Sequence, residues 1–119
     1  THCISSAASD VYKRQEEKFP QTTTEFKEIL DEMYETFCKK QRNYGPDNIS
    51  VGSSLESDED RNVALNGLWF RKNDKIQRLK QLVVKGQPDE VGEAIEDTYQ
   101  DLSVYGVISQ IVTRNKWAK

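Results

Sequence analysis

The residues that could carry chemistry lie in two charged rows. Over residues 89–111, wound at ~3.6 residues per turn, Glu90, Glu93, Asp97 and Asp101 fall on one side at steps of three and four. The same side continues as Val104, Ile108 and Ile111, so the carboxylates share a face that turns apolar, where a solvated face would stay polar. Like charges at these steps cost ~0.2–0.5 kcal/mol per pair in an isolated helix, so the row wants a cation. A Lys or Arg from a neighbouring helix would serve. So would a hard metal such as Mg2+, which takes oxygen ligands, with Glu93, Asp97 and Asp101 as its candidates.

The second row is basic. Arg71, Lys75 and Arg78 form a compact stripe with Asp74 beside an apolar one. Lys75 and Arg78 are surface neighbours three residues apart, and two cations side by side need a carboxylate or a phosphate. Arginine can grip either in bidentate fashion. Pairing with Asp97 and Asp101 across two antiparallel helices and binding of phosphate are both open. Upstream, "NYGPDN" adds turn chemistry: Gly45 permits positive φ, and Asn43, Asp47 and Asn48 can bond the local backbone. Tyr44, fixed by that turn, is expected to close over the polar rows, where it could stack on a nucleobase; the alternative is a plug in the core.

The elements that position these residues read as all-α. "TTTEFKEILDEMYETFCKKQ" is a medium helix, capped by Thr23 or Thr24 and ended by Lys39 and Lys40 as the helix dipole prefers. Its expected buried stripe is Phe26, Ile29, Leu30, Met33, Tyr34 and Phe37. A long polar loop follows to about Asp58, broken by Gly45, Pro46 and Gly52 and anchored by Ile49, Val51 and Leu55. "SDED" supplies an N-cap and first-turn acids for a second helix over about Asp60–Lys85, ended by Gly86 and Pro88. The last helix is expected from near Asp89. Nothing shows strand alternation, internal repeat or heptad run. The expected architecture is a small helical bundle with two long antiparallel helices, completed by dimerisation in one reading. Trp69, Phe70 and Trp117 suit a docking face, since Phe70 falls off the main apolar stripe.

Composition sets the bounds. The chain has 119 residues, 35% hydrophobic and 31% charged, which fits one domain with a thin core. Acids outnumber bases 20 to 17, which argues against a general nucleic-acid binder, leaves room for a local basic patch and gives no strong evidence of direct DNA binding. No run approaches the ~18 apolar residues of a membrane span. Cys3 and Cys38 imply no disulfide framework, so a reducing, cytoplasmic setting is the default. Thr1–Gln15 lacks a helical or strand period, and "AASDVYKRQ" looks like translated sequencing-adapter text. The reading therefore treats 1–15 as a structureless tail and 16–119 as a single domain. His2, the only histidine, goes with the tail, leaving carboxylates or metal-bound water as the available bases.

"KQRNYGPDN" at Lys40–Asn48, "DKIQRL" at Asp74–Leu79 and "EAIEDTYQDLSVYG" at Glu93–Gly106 together resemble the nucleotide modification associated domain type 1 family. These are small helical domains of phages and bacteria. The resemblance spans about Phe26 to Ile111, and Asn43 stands where the family often has Asp. It implies a role beside nucleotide or DNA-base modification. A (deoxy)nucleotide phosphate would lie on Tyr44, Gly45, Arg71, Lys75 and Arg78, with Mg2+ on Glu93, Asp97 and Asp101. The carboxylate row is also similar in kind to all-α nucleoside triphosphate pyrophosphohydrolases, but the middle helix lacks their second carboxylate pair. The alternative from another class is a non-catalytic helical partner module, or a homodimer through apolar helix faces, whose charged rows form an internal ion-pair network.

Overall fold

The computed structural model describes residues 6–119. Among them every regular element is helical, so the all-α expectation holds. The chain divides into two compact units, Thr1–Cys38 and Lys39–Lys119.

The first unit holds α1 (Ser6–Lys18) and most of α2 (Pro20–Tyr44). A structureless reading of Thr1–Gln15 gives way to helix from Ser6 onward, because a stretch without an apolar stripe still contains strong helix formers such as Ala7, Ala8, Lys13, Arg14 and Gln15. Thr1–Ser5, with His2 and Cys3, lie outside the described residues. Phe19 alone separates the two helices. Pro20 has no N–H to donate, but its fixed φ suits a first helical position, which is why α2 starts there and not at Thr23 or Thr24. Thr23 lies inside the helix, its N–H and hydroxyl both donating to the Phe19 carbonyl, at 3.1 and 3.0 Å. Lys27 reaches back across Phe19 to Glu16, eleven residues earlier on α1, at 3.0 Å. The expected buried stripe of α2 is not buried: Met33 is, Phe37 is half-buried, and Phe26, Ile29, Leu30 and Tyr34 are exposed.

The second unit carries α3 (Asp47–Ser50), α4 (Asp58–Leu79), a π-helical turn (Lys80–Val84) and α5 (Ile95–Thr113). Ser57 caps α4, its hydroxyl accepting from the Asp60 N–H at 3.1 Å, with Asp58, Glu59 and Asp60 in the first turn. α5 packs along α4, and α3 packs on α4 as well. The core is narrow. Leu68, Thr98 and Val112 are its fully buried side chains, joined by Ala64, Ile108, Ile49, Leu55 and Trp117.

The expected loop before α4 is thus partly helical and firmly anchored. Ile49 and Leu55 hold it on the core, whereas Val51 is exposed with a left-handed φ of 55°. Leu55 also takes a left-handed φ, 59°, a costly conformation for a branched side chain. Burial and Arg61 keep it there: Arg61 donates to the Leu55 and Glu56 carbonyls at 2.9 and 3.1 Å and pairs with Asp58. At the other end of the chain, Trp117 belongs to this core and not to a docking face. Its indole N–H donates to the Pro46 carbonyl at 3.1 Å, so burying the ring leaves its polar edge satisfied. Lys119 pairs with Glu56 at 2.7 Å and holds that carboxyl below its ordinary value.

Two outcomes are expected. Trp117→Phe keeps most of the bulk but loses the hydrogen bond to the Pro46 carbonyl, and should lower unfolding stability by about 1 kcal/mol, against about 3–5 kcal/mol for Trp117→Ala. Denaturant midpoints measure both. Deleting Thr1–Gln15, whose described part is largely exposed, should move the melting temperature by no more than about a few degrees in a calorimetric scan.

Candidate functional site

Three contacts fix how α4 and α5 face each other. The Arg71 guanidinium lies 5.9 Å from the centroid of the Tyr105 ring, and Lys75 Nζ lies 2.9 Å from Asp101. Farther along α4, Arg78 meets Glu93, just ahead of α5, at 3.4 Å. Positions rise on α4 as they fall toward the start of α5, so the helices run antiparallel. The basic stripe of α4 thus faces the acidic side of α5, as the alignment of Asp101 with Val104 and Ile108 implied.

Asp101 is the centre of the row. It accepts from Lys75 and also meets Lys40, near the end of α2, at 3.4 Å. Two ammonium groups therefore share one partly buried carboxylate. The hydrogen bond to Asp101 raises the Lys75 pKa above its ordinary 10.5, and partial burial opposes that shift only in part.

Arg78 works differently. It meets Asp89 and Glu93 at 3.4 Å and donates to the Glu93 carbonyl at 2.7 Å, clamping the segment ahead of α5. Asp89 in turn accepts from the Val91 N–H at 3.0 Å, and Gly92 takes a φ of 75°. The clamp and the turn explain why the last helix starts at Ile95 and not near Asp89. Glu90 and Glu93 consequently sit in a connection, and the acidic row keeps only Asp97 and Asp101 on a helix.

The proposed metal ligands do not gather. Asp101 is held by lysines and Glu93 by Arg78, while Asp97 is exposed and, among the described residues, makes no ion pair. Among the described residues no group of three His, Cys, Asp or Glu side chains could hold a metal ion. Glu93, Asp97 and Asp101 therefore do not fit a Mg2+ centre. The expected approach of Asp97 to Lys75 or Arg78 fails because the 89–93 segment has already taken Arg78.

Arg71 is placed as a tie between elements. It donates to the Asn48 carbonyl of α3 and lies over Tyr105, and no carboxylate pairs with it among the described residues. Tyr44 ends α2 and is 66% exposed, so it does not plug the core. Gly45 follows with a φ of 72°, its N–H donating to the Gln41 carbonyl at 2.8 Å; a residue with a Cβ would be strained there. Tyr44 lies one helical turn beyond Lys40, hence on the same face of α2. Among the described residues the buried Asn48 Oδ1, Arg78 Nη1 and Thr98 Oγ1 have no hydrogen-bond partner. Sequence reasoning missed Lys40, Asp89 and Tyr105 as members of this row. Lys40 could have been found as a C-terminal lysine one turn before Tyr44; the other two are visible only once the helices face each other.

Comparison with family models finds no match, and comparisons with curated proteins and with solved structures find no significant one.

The Lys75–Asp101 pair makes a pH prediction. A lysine whose folded pKa is raised stabilises the fold below 10.5 and loses that contribution as pH rises through its higher folded value. Thermal melts between about pH 8 and 11.5 should show an alkaline fall in stability that Lys75→Met lessens. At neutral pH the same variant should cost about 1 kcal/mol, because Lys40 still neutralises Asp101.

Proposed function

We propose that the polar row of the second unit binds a phosphate-bearing ligand, and that the chain is a nucleotide-handling domain of the kind its sequence motifs resemble. The observation that carries this reading is that two guanidinium groups of the row are left unsaturated. Among the described residues Lys40, Lys75 and Arg78 meet Asp89, Glu93 and Asp101, while Arg71 donates to a backbone carbonyl instead. Among the described residues no carboxylate pairs with Arg71, and Arg78 keeps a buried N–H edge without a partner. Both are groups that a phosphate oxygen satisfies well. Tyr44, exposed one turn beyond Lys40, offers a ring on which the attached base could stack. Phosphate would compete with Asp101 for Lys40 and Lys75, which predicts modest affinity.

A second reading has its own observation. Lys40, Lys75 and Arg78 already meet carboxylates, which suits a non-catalytic helical module whose ion pairs only fix helix register.

Calorimetric titration with deoxynucleoside triphosphates and with inorganic tripolyphosphate, each with and without Mg2+, separates the two. On the nucleotide reading, Arg71→Met weakens both ligands at least about tenfold, the loss of one charge-assisted contact. Tyr44→Leu should weaken only the nucleotide, by about 5–50-fold, which is roughly 1–2 kcal/mol of stacking. Absence of heat from every ligand at millimolar concentration would leave the structural reading in its place.

A further inference from the structure

We infer that the apolar face of α2 in the first unit pairs with the same face of a second copy of this chain. Among the described residues of the first unit only Met33 is buried, although α2 carries a full apolar stripe. An amphipathic helix in water owes most of its stability to whatever covers its apolar face.

The face is shaped for another helix like itself. Phe19, Phe26 and Met33 recur every seven residues, and so do Thr23, Leu30 and Phe37, four residues further on in each repeat. Two interleaved rows at that period form the seam of a paired-helix interface. The heptad pattern emerges only because the helix runs unbroken past Thr23 from Pro20. Ile29 and Tyr34 flank the seam, and both are exposed.

Charge permits self-pairing. All five acids of α2 up to Cys38 (Glu25, Glu28, Asp31, Glu32 and Glu35) occupy the three positions of the repeat that point away from the seam. The single basic residue beside it, Lys27, already pairs with Glu16. A second copy would therefore bring no row of like charges against the first.

Area agrees. Phe19, Phe26, Ile29, Leu30 and Tyr34 are 47, 65, 46, 45 and 69% exposed. With ~150–250 Å2 per aromatic side chain, they present on the order of 500 Å2 of contiguous apolar surface. That reaches the largest patch a typical monomer shows, about 300–600 Å2. It is also more than half of the roughly 800 Å2 per partner of a standard interface, before the threonine methyls and Phe37 are counted.

The test is the mass of the full chain in solution, by sedimentation equilibrium from about 1 to 100 μM, a range that brackets micromolar association. The expected result is twice the 13.7 kDa monomer mass at the upper concentrations. Phe26→Glu and Leu30→Glu should raise the dissociation constant at least about a hundredfold, while Glu28→Gln on the outer face should leave it within about threefold. A second measurement does not depend on a charged variant folding. Thr23→Cys in a chain with Cys3→Ser and Cys38→Ser should form an interchain disulfide under mild oxidation, at a rate that Glu28→Cys in the same background does not reach. A chain that stays monomeric at 100 μM with full helix content would overturn the inference, as would equal cross-linking from both cysteine positions.

Discussion

The antiparallel register of α4 and α5 is the constraint on which the second unit depends. Arg71 against Tyr105 and Lys75 against Asp101 set it, and Arg78 extends it into the connection ahead of α5. With that register in place, Leu68 from α4 and Thr98, Ile108 and Val112 from α5 can be buried together in one thin core. A slip of one turn would leave Lys75 without Asp101 and strand partly buried charges. Stranded charge in a low-dielectric setting costs more than a surface pair yields, so the ion pairs act more as a register device than as a source of stability.

The segment before α4 shows the same logic in backbone terms. Pro46 provides a carbonyl that accepts from the Ile49 and Ser50 N–H groups and from the Trp117 indole, so the start of α3 and the C-terminal segment are fastened at one atom. Leu55 is held in a left-handed conformation by its own burial and by Arg61. This is why a stretch rich in turn-forming residues behaves as part of the scaffold. It also places Asn48 where its carbonyl can orient Arg71, linking the anchored segment to the charged row.

The first unit has the opposite character. Its helices satisfy their own backbone and leave the apolar stripe of α2 in water. The two units therefore solve the same problem, an amphipathic helix needing cover, in different ways. The second does it within the chain, by folding α5 back on α4. The first leaves most of that face exposed.

The sequence by itself determined the helical class, the Ser57 cap and the meeting of a basic stripe with Asp101. Each of these follows from local spacing, turn chemistry or charge, which are properties of neighbours along the chain. It did not determine where the last helix begins, because helical spacing continues through Glu90 and Glu93 while Gly92 and the Arg78 clamp stop the helix in space. Nor did it separate a buried apolar stripe from an exposed one: Phe26 and Leu68 sit on equally regular stripes, yet Phe26 is 65% exposed and Leu68 1%. The tertiary structure alone settled that Trp117 belongs to the core, that Asp101 takes the lysines while Asp97 one turn away is exposed, and that Tyr105 lies under Arg71. The reason is common to all three. Periodicity tells which residues share a face, but what lies opposite that face depends on residues far away in the chain.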